Sequence, residues 1–171
     1  MKRIITIDLK DYDETMNRFQ RPSVRGVIIR NGKIAMVYSQ KYDYYKFPGG
    51  GIENSESHSE TLIREVSEET GLTVIPDSVK PLGSVLRIQK SLAADNEIFE
   101  QENFYYTCNV LNSVEAQSLD AYELDEGFRL EYVEALHAID VNRTHDHSGY
   151  DAQLIEREAL VLEYIISEAL L

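Results

Sequence analysis

Two β-rich runs, residues 24–30 (VRGVIIR) and 33–39 (KIAMVYS), flank the dipeptide Asn31-Gly32. Both positions of that dipeptide accept positive φ, so the pattern predicts a hairpin with a two-residue turn. The segment that follows, KYDYYKFPGGGIENSES, carries Pro48 and three consecutive glycines, which exclude regular structure. A helix is predicted from Ser57 to Thr70, with Leu62, Ile63, Val66 and Thr70 as its apolar stripe. Ser57 and Glu60 have the spacing of a capping box, and Gly71 stands where a left-handed cap ends a helix. Beyond it, GSVLRIQ and NFYYTCNVL read as strands, PDSVKP as a turn, GFRLEYV as another strand and EALHAI as a short helix. From Asp151 to Leu170, Ile155, Ala159, Leu162 and Ile166 recur at helical spacing, and Leu154, Leu160, Val161 and Ile165 widen their face. A face so broad is either deeply packed or shared with a second copy, which admits a homodimer. The order strand, strand, helix, several strands, helix predicts an α/β sandwich with a mixed sheet.

Composition narrows this picture. A chain of 171 residues, 43% of them apolar, suits one domain spanning 1–171 with a substantial core. The net charge of −13 argues against a nucleic-acid polymer or an anionic membrane as partner, because such surfaces need Lys and Arg. It leaves room for a phosphate-bearing small molecule, since a bound divalent cation inverts the local sign. Cys108 is the one cysteine and reads as a small buried residue in a strand. No apolar run reaches the ~20 residues of a membrane helix, and the N-terminal patch is too short for a signal peptide, so a cytoplasmic protein is expected.

The chemistry gathers on the first predicted helix. Glu65, Glu68 and Glu69 share one face at i, i+3 and i+4, where like charges cost an isolated helix roughly 0.2–0.5 kcal/mol per pair. They border the apolar stripe rather than oppose it, so they face the groove between the helix and the glycine-rich loop. Clustered carboxylates are what a hard cation such as Mg²⁺ or Mn²⁺ requires. Gly49, Gly50 and Gly51 permit close backbone approach, so a carbonyl there can add a neutral oxygen, with Lys41 or Lys46 beside a bound phosphate.

From Gly50 to Leu72 the sequence fits G-x5-E-x7-R-E-U-x-E-E-x-G-U, where U is a bulky aliphatic residue, with every fixed position filled. This resembles the signature of the Nudix hydrolase family. The resemblance implies a Nudix-type α/β/α sandwich with a mixed β-sheet between helices. It also implies hydrolysis of a pyrophosphate linkage in a nucleoside diphosphate derivative, by water attack at phosphorus with Mg²⁺ or Mn²⁺. On that resemblance Glu65, Glu68 and Glu69 bind metal, the Gly50 carbonyl completes the shell, Arg64 holds a catalytic glutamate and Glu56 is supportive. The general base is then Glu65, Glu68 or an acidic residue of a later loop. Of Glu123, Asp125 and Glu126 in that loop, Glu126 is the choice.

Other candidates rest on thinner signals. Arg25 and Arg87 lie in predicted strands and, with Lys46, could hold substrate phosphates. Tyr45, among Tyr42, Tyr44 and Phe47, could stack on a base or simply pack the loop. His145, Asp146 and His147 read as a polar loop rather than a metal site. Ser55 stands where many relatives carry Gly, and the chain has no Trp for base stacking. Arg87-Ile88-Gln89 matches no subgroup marker, so nucleoside triphosphates, ADP-ribose and nucleotide sugars all stay open. A nucleotide-sensing domain without turnover is the alternative; the intact glutamates set the enzyme ahead of it.

Overall fold

The protein was analysed as a computed structural model, which describes residues 1–53 and 55–171. The first half of the chain forms β1 (Arg3–Asp8), β2 (Asn17–Gln20), β3 (Ser23–Val27), β4 (Ile29–Arg30), β5 (Lys33–Ser39) and β6 (Tyr44–Lys46). Helix α1 (His58–Thr70) follows, then β7 (Leu72–Val74), β8 (Lys80–Lys90), β9 (Glu97–Thr107) and β10 (Val110–Val114). The chain closes with α2 (Ala121–Glu126), β11 (Arg129–Val133), α3 (Ala135–Thr144) and α4 (Ala152–Ser167).

A long antiparallel pair, β8 with β9, carries β1 parallel on one side and both β2 and β3 parallel on the other. Strands β11, β5 and β4 form a second, antiparallel sheet, with β6 also on β5, and β7 pairs with β10. The predicted hairpin turn is present, with φ of 53° at Asn31 and 73° at Gly32. Its first arm, however, divides at Ile28. Val27 pairs with Thr107 of one sheet, whereas Ile29 pairs with Ile34 of the other. The Val27 carbonyl accepts the Cys108 N–H and the Ile28 carbonyl accepts the Ala35 N–H, so one residue passes the chain between sheets. Cys108 is buried at that junction, between β9 and β10, rather than inside one continuous strand.

Alternation along the strands sorts the core into two layers. Val24, Ile28 and Ala35 pack with Leu62 and Val66 of α1. Val27, Ile34 and Met36 face the other way, onto Ala138 and Val141 of α3 and Val161, Leu162 and Ile165 of α4. Helices therefore cover both faces of a mixed sheet, the α/β/α sandwich that the sequence pattern implies. The broad face of α4 is satisfied within the chain: Ile155, Ala159, Val161, Leu162 and Ile165 are all buried. Leu154 and Leu160 are half-buried and Ile166, at the margin of that face, is exposed.

Helix α1 has the ends its sequence predicts. The Ser57 side chain accepts from the Glu60 N–H and the Glu60 carboxylate accepts from the Ser57 N–H, at 2.8 Å. Gly71 ends the helix at φ 71° and donates to the Ser67 carbonyl. Ser55, also at positive φ (71°), occupies the conformation that the more usual glycine would favour. Truncating Leu162 to Ala should lower unfolding free energy by about 2–5 kcal/mol, the cost of a cavity at a fully buried leucine. Because that face is covered internally, the loss measured by urea titration should not change with protein concentration.

Candidate active site

The loop Pro48–Gly51 lies against the free edge of β3. Val24 N–H donates to Gly50 O (2.9 Å) and Gly26 N–H to Pro48 O (2.8 Å). This pairing sets the glycines between β3 and α1, where space is short. A Cβ at Gly49, whose φ is 140°, would meet the Val24 carbonyl oxygen at 2.1 Å. A Cβ at Gly50 would meet both carboxylate oxygens of Glu65 at 2.4 Å. The glycines thus serve different ends: Gly49 lets the loop pair with the strand, and Gly50 leaves room for a carboxylate.

Above this loop Arg64 organises the acidic edge. Its Nε and Nη2 reach the two oxygens of Glu56 at 2.8 and 2.9 Å, a forked pair. Its Nη1 reaches Glu65 Oε1 at 2.8 Å and Glu68 Oε2 at 3.1 Å, and Nη2 also approaches Gly51 O at 3.3 Å. The guanidinium holds the Glu56 carboxyl down at about 2. Burial pushes the Glu65 carboxyl upward, against the pull of Arg64.

Glu69 belongs to a second ion pair. Only 1% exposed, it bonds Lys46 Nζ through one oxygen and the Gly49 N–H through the other, at 2.8 Å. Burial raises its pKa to about 7 despite the lysine. Lys46 in turn lies over the Phe128 ring at 4.8 Å. The third signature glutamate therefore clamps helix, loop and β6 together from inside, where sequence spacing placed it level with the other two.

Glu65, Glu68 and Arg64 open onto a groove of about 820 Å³ that also receives Lys46, Arg25 and Arg87. Six of the nine candidate side chains thus line the groove, whereas Glu69, Tyr45 and Glu126 do not. Tyr45 does not face the groove. Strand alternation turns Tyr44 and Lys46 into it and sends Tyr45 to the opposite side, where its hydroxyl meets Glu131 at 2.8 Å and its ring packs on Tyr38 and His137. Glu126 also lies off the groove, buried beside Ser39 Oγ (3.1 Å) and the Tyr44 hydroxyl (3.4 Å). The residue of α2 that does line the groove is Glu123, one turn earlier, braced by the Asp120 N–H and the Tyr122 hydroxyl, both at 2.8 Å. The loop read as an acidic turn is this short helix; Glu123 and Glu126 lie on neighbouring turns of it, and the earlier turn is the one that reaches the groove.

Arg157 and Glu158 were not legible as site residues. Both are fully buried in α4, yet Arg157 reaches the groove wall. They interrupt the otherwise apolar arc of that helix, and that interruption is the signal that could have found them. His145 and His147 bond Asp43 and the carbonyls of Tyr42 and Asn142, as a polar loop should.

Among the described residues no three His, Cys, Asp or Glu side chains converge into a ready cage for an ion. Arg64 and Lys46 already engage the three carboxylates. The donor chemistry nevertheless fits a hard cation: carboxylate oxygens on a helix edge, with Glu65 seated over the bare α-carbon of Gly50. The Gly50 carbonyl already accepts from Val24, so any metal there would use its second lone pair.

A family model described as NUDIX domain matches residues 20–150, and the chain belongs to that family. Among solved structures it is similar to a NUDIX hydrolase from Nitrosomonas europaea, with 21% identity, a TM-score of 0.54, and coverage of 81% of this chain and 87% of that one. It is also similar to a MutT NUDIX hydrolase from Burkholderia pseudomallei, at 18% identity and a TM-score of 0.51 over 81% and 97% of the two chains. These likenesses establish the fold. Of the curated proteins, the RNA pyrophosphohydrolase of Pasteurella multocida (strain Pm70) is 39% identical over 64 residues, 36% of this chain and 31% of the relative. That of Stenotrophomonas maltophilia (strain K279a) is 37% identical over 65 residues, 37% and 31% of the two. The match thus spans about a third of each relative's length.

The two glycines separate by substitution. Gly49→Ala forces a Cβ into backbone and should lower the thermal unfolding midpoint by several degrees. Gly50→Ala meets the end of the Glu65 side chain rather than backbone, so the carboxylate can turn aside at the expense of its Arg64 bond and the midpoint should fall by less. Equal losses in the two variants would contradict the loop geometry.

Proposed function

We propose that this protein hydrolyses a pyrophosphate bond in a nucleoside diphosphate derivative: a nucleoside triphosphate, ADP-ribose or a nucleotide sugar. What carries the reading is one juxtaposition. Arg64 holds Glu65 and Glu68 on one wall of a groove whose other wall carries Lys46, Arg25 and Arg87. An acidic edge facing basic side chains suits a metal-bound pyrophosphate, whose anionic oxygens need cations on both sides.

Glu65 and Glu68, with the Gly50 carbonyl, would hold Mg²⁺ or Mn²⁺ at the groove, and Glu69 would join them only by giving up Lys46 or the Gly49 N–H. Such an ion, when bound, neutralises phosphate oxygens and makes water a stronger nucleophile. The chain's own residues do the rest. Arg64 fixes the carboxylates in register. Glu65, its pKa raised by burial, is suited to accept the proton of the attacking water; Glu123 is the acidic residue from the later segment that could assist. Lys46, Arg25 and Arg87 bind and orient the phosphates. Gly50 keeps the Glu65 carboxylate seated. The aromatic wall of Tyr44, Tyr150 and Phe128 shields the reacting groups from bulk water.

The relatives named RNA pyrophosphohydrolases share this chemistry in name. The net charge of −13 favours a free nucleotide over a polymer as substrate here. No signature glutamate is missing, so nothing favours a silent sensor.

The test is a screen of nucleotide substrates with Mg²⁺ or Mn²⁺, scoring released phosphate and nucleoside monophosphate. Glu68→Gln should reduce metal-dependent turnover by roughly a hundredfold or more while leaving the unfolding midpoint unchanged, because this side chain is half-exposed. Glu69→Gln should instead cost stability as well, since it leaves the buried Lys46 ammonium without its counter-charge. Tight nucleotide binding with no turnover of any substrate would defeat the hydrolase reading.

A further inference from the structure

One face of the central sheet changes character along its length. At one end Val27, Val85 and Tyr105 enter the apolar core under α3 and α4. Two and four residues along the same strands, the same face carries Ser23, Arg25, Arg87, Gln89, Gln101 and Asn103, all buried. Buried arginines are rare unless paired.

Part of this polar patch is closed on itself. Ser23 Oγ donates to Asn103 Oδ1 at 2.7 Å. Arg157 donates to Asn103 at 2.8 Å and Gln101 at 3.1 Å, and pairs with Glu158. Arg87 pairs with Asp151 at 2.8 Å and lies 4.9 Å over the Phe99 ring. Arg87 and Arg157 each bond a carboxylate, whereas Arg25 feels Glu65 and Glu69 only at longer range. Arg25, 7% exposed, has no carboxylate within 4 Å among the described residues, and its guanidinium bonds the Gly49 carbonyl. The Nε atoms of both Arg25 and Arg87 are buried with no partner, and both side chains line the groove. Arg87, 4% exposed, has its pKa lowered by burial, then by Arg157, with Arg25 also contributing. A buried cation with no bonded carboxylate is costly, and a doubly charged, many-oxygened anion is the chemical complement of two guanidinium forks.

We propose that Arg25 and Arg87 form an anion subsite that takes a further phosphoryl group of the substrate, beyond the two that share the bond to be cleaved. Arg157 backs the subsite without reaching the ligand, its donors being spent on Glu158, Gln101 and Asn103. The inference rests on the hydrolase reading for the word substrate, and on the buried arginines alone for the subsite. The extra group is either the third phosphoryl of a linear triphosphate or a phosphate on the distal sugar of a dinucleotide-like compound. In either case nucleotides that end in a neutral sugar are poorer substrates.

Two measurements test this. In EDTA, which removes any contribution from divalent metal, wild-type protein should bind inorganic triphosphate saturably by calorimetry. Arg25→Gln and Arg87→Gln should each weaken that binding tenfold or more, and Arg25→Lys should recover only part of it. In turnover assays, kcat/KM for a nucleoside triphosphate, or for ADP-ribose phosphorylated on its terminal ribose, should exceed that for plain ADP-ribose at least tenfold. The preferred one of the two identifies the source of the phosphate, and both glutamine variants should collapse the preference, chiefly through KM. Absence of triphosphate binding by the wild type, or an unchanged preference in folded variants, overturns the subsite. Arginine-dependent binding with no turnover of any nucleotide supports the subsite and overturns the hydrolase reading instead.

Discussion

The site depends on one guanidinium. Arg64 reaches Glu56, Glu65, Glu68 and the Gly51 carbonyl at once, so a single side chain ties the helix to the loop before it. A lysine at that position has one charged centre and no planar fork, and could not span the same set. The repulsion among the signature glutamates is thereby shared between two cations. Arg64 takes the outer carboxylates and Lys46 takes the inner one. The helix can carry three like charges in one sector because each has a neighbour of opposite sign.

The same logic scales up to the groove. A protein with a large negative net charge concentrates buried cations on the sheet wall, opposite the carboxylates of α1. Bulk charge describes long-range attraction and solubility, whereas binding of a phosphate is decided within a few ångströms. Both halves of this electrostatic arrangement hang on backbone pairing. The glycine loop pairs with β3, β3 carries Arg25, and β9 aligns β3 with the strand that carries Arg87.

Much of the fold was legible because its signals are local. Capping residues at Ser57 and Gly71, the Asn31-Gly32 turn and the apolar arc of α4 each depend on neighbours within a few residues. Strands β1, β2, β6, β7 and β10 were not foreseen; they are short or exposed and owe their conformation to partners distant in the chain. The hairpin arm at 24–30 looked continuous because periodicity is blind to which sheet a residue joins. Within the site, Arg64, Glu65 and Glu68 were legible from their spacing. Tyr45 and Glu126 lie off the groove because one residue of strand phase, or one turn of a short helix, decides which side chain lines it.

The sequence by itself determined the family, the sandwich architecture and the acidic edge, since these follow from a fixed register of residues on one helix and its loop. Only the tertiary structure decided the depth of each charge. It buried Glu69 against Lys46 and left Glu68 half-exposed, although the two are adjacent in the chain. It also brought Arg25 of β3, Arg87 of β8 and Arg157 of α4 onto one wall. Burial and counter-charge are properties of what packs around a residue, and that is set by strand pairing across scores of residues rather than by spacing along the chain.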